Sequence, residues 1–185
     1  MEVGWRPFGR DDTVLMHRWL QQPHVSRWWD RVERTPESTA VEFDPESDEN
    51  RHLHQVVIEV TDDAGTTTPV GWLQWYLLDD EPTWGPGLVP PPHTVALDLL
   101  IGVEAWIGRG VGPAAIRLIS QEVVRQVPGC THLWIDPNPR NERAMRAYAG
   151  LGFRDTGVDL HDPEDPAEVR RLMIATVEPG VGLAP

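Results

Sequence analysis

Leu97-Asp98-Leu99-Leu100-Ile101, Gly108-Arg109-Gly110-Val111-Gly112-Pro113, Leu133-Trp134-Ile135-Asp136-Pro137 and Gly150-Leu151-Gly152-Phe153 follow one another in this chain, and their order decides the fold. An apolar strand carrying one acid leads into a glycine turn; an amphipathic segment, a second strand, a helical stretch from Asn141 to Tyr148 and a Gly-Phe strand come after it. Glycines at 108, 110 and 112 let backbone amides crowd together and point one way at a helix N-terminus, a good place to hold a diphosphate. Two familiar phosphate-binding patterns fit poorly. The dinucleotide fingerprint needs glycine where Pro113 stands, and the nucleotide-triphosphatase loop ends in Gly-Lys-Ser/Thr where this chain reads Gly112-Pro113-Ala114.

Working outward, Val3 to Phe8 reads as a strand, and Asp11 or Asp12 can cap a helix carrying Val14, Leu15, Trp19 and Leu20 at helical spacing until Pro23 stops it. A second short helix is expected over Val25 to Trp29, then an acid-rich loop or short irregular helix from Asp30 to Asn50. Val56 to Val60 and Val70 to Leu78 are antiparallel strands joined at Asp62-Asp63-Ala64-Gly65. Asp79 to His93 is broken by Pro82, Gly85, Pro86, Gly87, Pro90, Pro91 and Pro92 and forms a long loop. Thr94 to Ile101 is a strand, and the helix from Gly112 to Val127 buries Ile116, Ile119, Val123 and Val127 on one stripe, with Pro113 in its first turn. His132 to Ile135 is the next strand, Asn141 caps a helix through Leu151, and Phe153 to Val158 with Val169 to Val177 close the sheet. The span from Asp155 to Ala167 reads as acidic and turn-rich. One domain over 1–178 and a frayed tail over 179–185 are expected.

Twenty-nine acidic against 16 basic residues give a net charge of -13, which repels nucleic acid and anionic lipid and attracts polycations. A merely solubilising acidic surface would look the same. A single cysteine, Cys130, allows no intrachain disulfide and no cysteine metal cluster. The histidines show no ligand spacing, so no metal is expected. With neither a signal-like N-terminus nor a membrane-length apolar run, a cytoplasmic protein is expected, as a monomer or homodimer.

Asp98 lies alone in an apolar strand, where an ionised carboxylate is costly unless paired or open to a polar cleft. Asp136 ends its strand at the sheet's mouth and reads either as a ligand-binding acid or as a turn cap. Asn141, Ala144 and Tyr148 share one helix face. Tyr148 reads nearly as well as a core aromatic packed on Leu151 and Phe153. Asp79, Asp80 and Glu81 offer carboxylates to ammonium groups, while Trp28, Trp29 and Trp84 offer flat walls; Trp72, Trp75 and Trp134 lie in strands and are core candidates. Cys130 has no evident activating partner and reads as structural.

The order strand, glycine turn, helix, strand, helix, Gly-Phe strand resembles the acetyl-CoA-binding core of the GNAT acyltransferases, and within them the chain is most similar to the aminoglycoside 6'-N-acetyltransferases. Trp5-Arg6-Pro7, His17-Arg18-Trp19-Leu20, Pro23-His24-Val25, Trp28-Trp29 and Val70-Gly71-Trp72-Leu73-Gln74-Trp75-Tyr76 extend the likeness beyond the core. The usual loop opens with Gln or Arg where Ile107 stands; Arg109 can supply that charge. The resemblance implies an α+β fold with a central mixed, mostly antiparallel sheet flanked by helices. It implies that acetyl-CoA is held by Leu99, Leu100 and Ile101, by the turn of Gly108, Arg109, Gly110, Val111, Gly112 and Pro113, and by Asn141 and Ala144. A backbone N–H near Leu100 would meet the acetyl carbonyl where neighbouring strands splay. Asp98 would accept the amine proton or anchor the substrate, Tyr148 would protonate the thiolate, and Asp136 would bind an amine. The activity implied is direct acetyl transfer in a ternary complex to a polyamine or an aminoglycoside, giving antibiotic resistance. A siderophore-assembly N-acyltransferase and a non-catalytic acyl-CoA- or antibiotic-binding module are the alternatives.

Overall fold

The structure, a computed structural model, describes residues 1–29, 34–81, 87–161 and 168–183. Seven strands form a mixed sheet: β1 (Glu2–Pro7), β2 (His54–Thr61), β3 (Thr67–Leu77), β4 (Val95–Ile101), β5 (His132–Ile135), β6 (Arg154–His161) and β7 (Val169–Thr176), in the order β1-β2-β3-β4-β5-β7-β6. The helices are α1 (Thr13–Leu20), α2 (Pro23–Ser26), α3 (Pro36–Glu42), α4 (Val111–Gln126) and α5 (Glu142–Ala149). The chain divides into two compact units: residues 1–75 with 99–115, and residues 76–98 with 116–185.

In the first unit, β1 and β3 flank β2 in antiparallel register, and the β2–β3 hairpin closes where the Asp62 carboxylate accepts the N–H groups of Ala64 and Thr66, each at 2.9 Å. Its core gathers Phe8, Met16, Trp19, Leu20, Val25, Phe43, Val57, Trp72 and Leu100. Met16 takes the inward place in α1, whereas Val14 is exposed, contrary to the sequence reading. Asp12 stands at the head of α1, yet its carboxylate makes no helix cap; it takes both ends of the Arg6 guanidinium at 2.6 and 2.7 Å and the Gly9 N–H at 2.9 Å. Pro23 opens α2 rather than closing α1, because proline at a first helical position forfeits no hydrogen bond, so this helix spans Pro23–Ser26 instead of running to Trp29. Two glycines are fixed by close approach. A Cβ on Gly71 would lie 2.3 Å from the Leu100 carbonyl oxygen, and one on Gly102 would lie 1.9 Å from the Trp19 ring. The N–H groups of Gly102 and Val103 both donate to the Val70 carbonyl, at 2.9 and 3.1 Å, and buried His24 bonds the Ile101 carbonyl through Nε2 at 3.0 Å. The end of β4 is thus held from several sides.

In the second unit, β7 pairs antiparallel with β5 and β6, and Ile116, Ile119, Val123 and Val127 of the α4 stripe are all buried, as the sequence predicts. The strand expected to stop at Val158 continues to His161, so the first part of the acidic span is sheet. Arg171 of β7 sustains it, reaching Asp159 at 2.7 Å and Asp155 at 3.2 Å across the ladder. The expected frayed tail is tied down over its described residues: Leu183 is buried, its N–H donates to Ser120 Oγ at 3.0 Å, and the Glu178 N–H donates to the Gly182 carbonyl at 3.0 Å.

Trp19 lying on Gly102 has a direct consequence for stability. Gly102→Ala should lower the unfolding free energy by about 1–3 kcal/mol, while Gly4→Ala, where a Cβ meets nothing within 4 Å, should change it little; urea unfolding of the two variants checks this.

Candidate active site

The glycine turn follows β4 after a 3-10 turn at Glu104–Trp106. Gly108 and Gly110 adopt φ of 74° and 81°, and a Cβ at either would meet nothing within 4 Å, so backbone conformation and not space selects glycine there. The Ala114 N–H donates to the Gly110 carbonyl at 3.0 Å, making Gly110 the cap of α4. The Val111 and Gly112 amides therefore lie in the first turn, where no carbonyl of the helix itself can accept them, and Pro113 has no amide to leave open. Arg109 is exposed, its guanidinium 5.2 Å from the Trp106 ring centroid. Outward amides at a helix N-terminus beside a solvent-facing arginine suit a diphosphate, so the residues present fit the coenzyme.

The acids are placed by strand register. The parallel pairing of β4 with β5 runs over Val95↔Leu133 and Ala96↔Trp134. Two residues further along each strand stand Asp98 and Asp136, at equivalent positions and on equivalent faces. Across β5 and β7 the register reaches Ile135↔Met173. One step on, Asp136 faces Leu172, which puts Arg170 diagonally across on the same side. Arg170 Nη1 is 3.1 Å from Asp136 Oδ2. The contact lies off the line of a hydrogen bond, and Asp136 Oδ2 and Arg170 Nε are buried without a hydrogen-bond partner among the described residues.

The Asp136 side chain is only 8% exposed. Burial, and then the Asp98 carboxylate, push its pKa up to about 7 against the pull of Arg170 and of its own backbone N–H, with Glu168 adding a smaller push upward. Tyr148 is buried on α5, its ring centroid 6.1 Å from that of Phe153. Burial, with Asp98 and Asp136 adding to it, drives its phenol well above the ordinary tyrosine value, beyond the normal value that the sequence implies. The phenol keeps its proton throughout the neutral range.

The remaining candidates vary in availability. Asn141 Oδ1 accepts the Ala144 N–H at 3.2 Å, so its side chain caps α5 as expected. Asp79 accepts the His93 N–H at 3.1 Å and pins the two ends of the long loop; Asp80 is exposed and Glu81 half-buried. Trp84 lies outside the described residues. Trp28 is half-buried with the Arg27 guanidinium 5.4 Å from its ring centroid, and half-buried Trp29 meets Trp72 edge-on at 5.8 Å, so Trp29 belongs largely to the core. Trp72, Trp75 and Trp134 are buried, as the sequence predicts. Cys130 is buried and its thiol pKa is raised by that burial, which leaves no activated nucleophile. Arg170 and Glu168 were missed in the sequence; the doublet Arg170-Arg171 inside an apolar strand was the available signal, since strand alternation sends one of the two to each face.

Residues 9–158 match the acetyltransferase (GNAT) domain family, and the chain belongs to it. An aminoglycoside N(6')-acetyltransferase type 1 from Klebsiella pneumoniae is 27% identical over 161 residues, 84% of this chain and 75% of that protein. Among solved structures, AAC(6')-Ib in complex with paromomycin and acetyl-CoA superposes with a TM-score of 0.79 at 22% identity, covering 95% of this chain and 94% of the other. The same enzyme with coenzyme A and kanamycin gives 0.77 at 22% identity and 95% coverage of each chain. At that identity these structures share the fold.

The raised Asp136 pKa fixes the sign of a stability effect. As pH climbs from about 4 the unfolded chain gives up this proton while the native state keeps it, so stability falls until about pH 7 and is level above. Asp136→Asn should flatten the slope of stability between pH 4 and 7, read by urea unfolding across that range.

Proposed function

We propose that this chain transfers the acetyl group of acetyl-CoA to a primary amine of a polycationic small molecule, the 6'-amine of an aminoglycoside being the acceptor the observations favour. The observation that carries the reading is the pair of carboxylates at equivalent positions just past the β4–β5 pairing, beside a buried phenol that keeps its proton. Membership of the acetyltransferase family supports the reaction class, and the relatives that carry an aminoglycoside in their names support the acceptor. The net charge of -13 agrees with a cationic substrate.

In this reading the coenzyme supplies a thioester, an acetyl group bound to a thiolate that can leave. The amides of Val111 and Gly112 and the Arg109 guanidinium hold its diphosphate, and Leu99, Leu100 and Ile101 offer backbone groups to its acetyl end. Asp136 takes an ammonium group of the acceptor as counterion. Asp98 accepts the proton of the attacking amine, directly or through water, and so frees the nitrogen lone pair that forms the new C–N bond as the C–S bond breaks. Tyr148 gives its proton to the sulfur that leaves, and the second proton that the nitrogen sheds on becoming an amide restores the phenol directly or through water. An ammonium with a pKa of roughly 8 to 10 costs about 1.4 kcal/mol per pH unit to deprotonate near neutrality, within reach of one carboxylate. Cys130 takes no covalent part, so transfer is direct.

Radiolabelled acetyl transfer offered to kanamycin, tobramycin, spermidine, hydroxylysine and a peptide amine should label the two aminoglycosides; label confined to the other amines overturns the acceptor assignment. Asp98→Asn should cut kcat by about 10²- to 10⁴-fold, and Tyr148→Phe should lower kcat with little change in KM, both read by steady-state kinetics. Turnover of Tyr148→Phe equal to wild type removes the phenol as the acid.

A further inference from the structure

Asp136 and Arg170 form a pair of an unusual kind. The carboxylate is 8% exposed while the arginine side chain is 39% exposed, so the acid is fixed in the interior and its counterion reaches it from the solvent side. Their 3.1 Å contact lacks hydrogen-bond alignment, and each partner keeps a buried polar atom, Oδ2 and Nε, that bonds to nothing else among the described residues. A structural ion pair at such depth is normally locked by two aligned bonds and further partners. Among the described residues, this one is held by charge alone.

We propose that Arg170 is a positioning residue for amine capture: its guanidinium favours the charged form of the Asp136 carboxylate in the empty protein and gives up its place when the acceptor's ammonium arrives. The inference rests on the reading of Asp136 as the acceptor's counterion. The groups that bear on Asp136 come from several elements: Asp98 from β4, Tyr148 from α5, Glu168 from the residue before β7, Arg170 from β7 itself, and the backbone N–H of Asp136. Asp98 and Glu168 favour a proton on Asp136, and burial favours it more; Arg170 supplies the opposing positive charge. Without it, a buried acid beside another acid holds its proton through and beyond the neutral range and stays a neutral group with no pull on a cation. Because Arg170 is half in water and unaligned, swinging it outward costs one unaligned contact. An ammonium, with three donors and compact charge, can then supply the aligned hydrogen bond that Oδ2 lacks.

Two measurements on Arg170→Met and Arg170→Lys test this. In the first, carbon-13 NMR of the side-chain carboxyl follows Asp136 titration in the ligand-free protein. The midpoint should rise in Arg170→Met and return toward wild type in Arg170→Lys; an unmoved midpoint in Arg170→Met overturns the proposal. In the second, calorimetry with kanamycin in the presence of coenzyme A is run from pH 6 to 9. The ratio of the Arg170→Met to the wild-type Kd should fall by about tenfold or more over that range as the variant's Asp136 regains its charge, with proton release per kanamycin bound larger in the variant at pH 7. A ratio independent of pH, or Arg170→Lys as impaired as Arg170→Met, overturns it. Comparison at each pH cancels the titration of kanamycin's own amines. Asp136→Asn separates the two readings: unchanged kanamycin affinity there, with the titration midpoint still moved by Arg170→Met, sinks the role of Asp136 in amine binding and leaves the coupling of Arg170 to Asp136 standing.

Discussion

The candidate site stands where one pair of parallel strands stops bonding. β4 and β5 pair over two positions, and the next outward-equivalent residues are both aspartates. Two anions placed side by side in a largely buried setting resist ionising together, and the neighbourhood answers with one proton-hungry acid, one arginine and a phenol driven toward permanent protonation. A strand that ends its pairing releases backbone groups and side chains together.

The second constraint is crowding. Gly71 and Gly102 let the Leu100 carbonyl and the Trp19 ring come closer than any side chain would allow, and His24 fixes the Ile101 carbonyl. These contacts define the direction in which the chain leaves β4 and enters the glycine turn. Residues outside the turn thereby bear on how the amides of Val111 and Gly112 are presented.

Much of this was legible in the residues. The glycine turn, the α4 stripe, the Asn141 cap and the buried strand tryptophans each declare themselves through spacing or local chemistry, because backbone conformation and amphipathic period are written within a few consecutive positions. The role of Asp12 was not, since its carboxylate is claimed by Arg6, an arginine whose strand contacts appear only once β1 pairs with β2. Trp29 looked like a free wall and packs on Trp72; the tail looked loose and Ser120 holds it. Arg170 was hidden for the same reason: its partner is fixed by the register of β5 against β7, a long-range quantity that no local pattern encodes.

The burial of Cys130 has a practical side. With its sulfhydryl desolvated and donating weakly to the His132 carbonyl, the one native thiol in the sequence is a poor target for alkylating reagents. A cysteine introduced on the surface would therefore outcompete it for a maleimide dye, so the wild-type background already suits single-position fluorophore attachment.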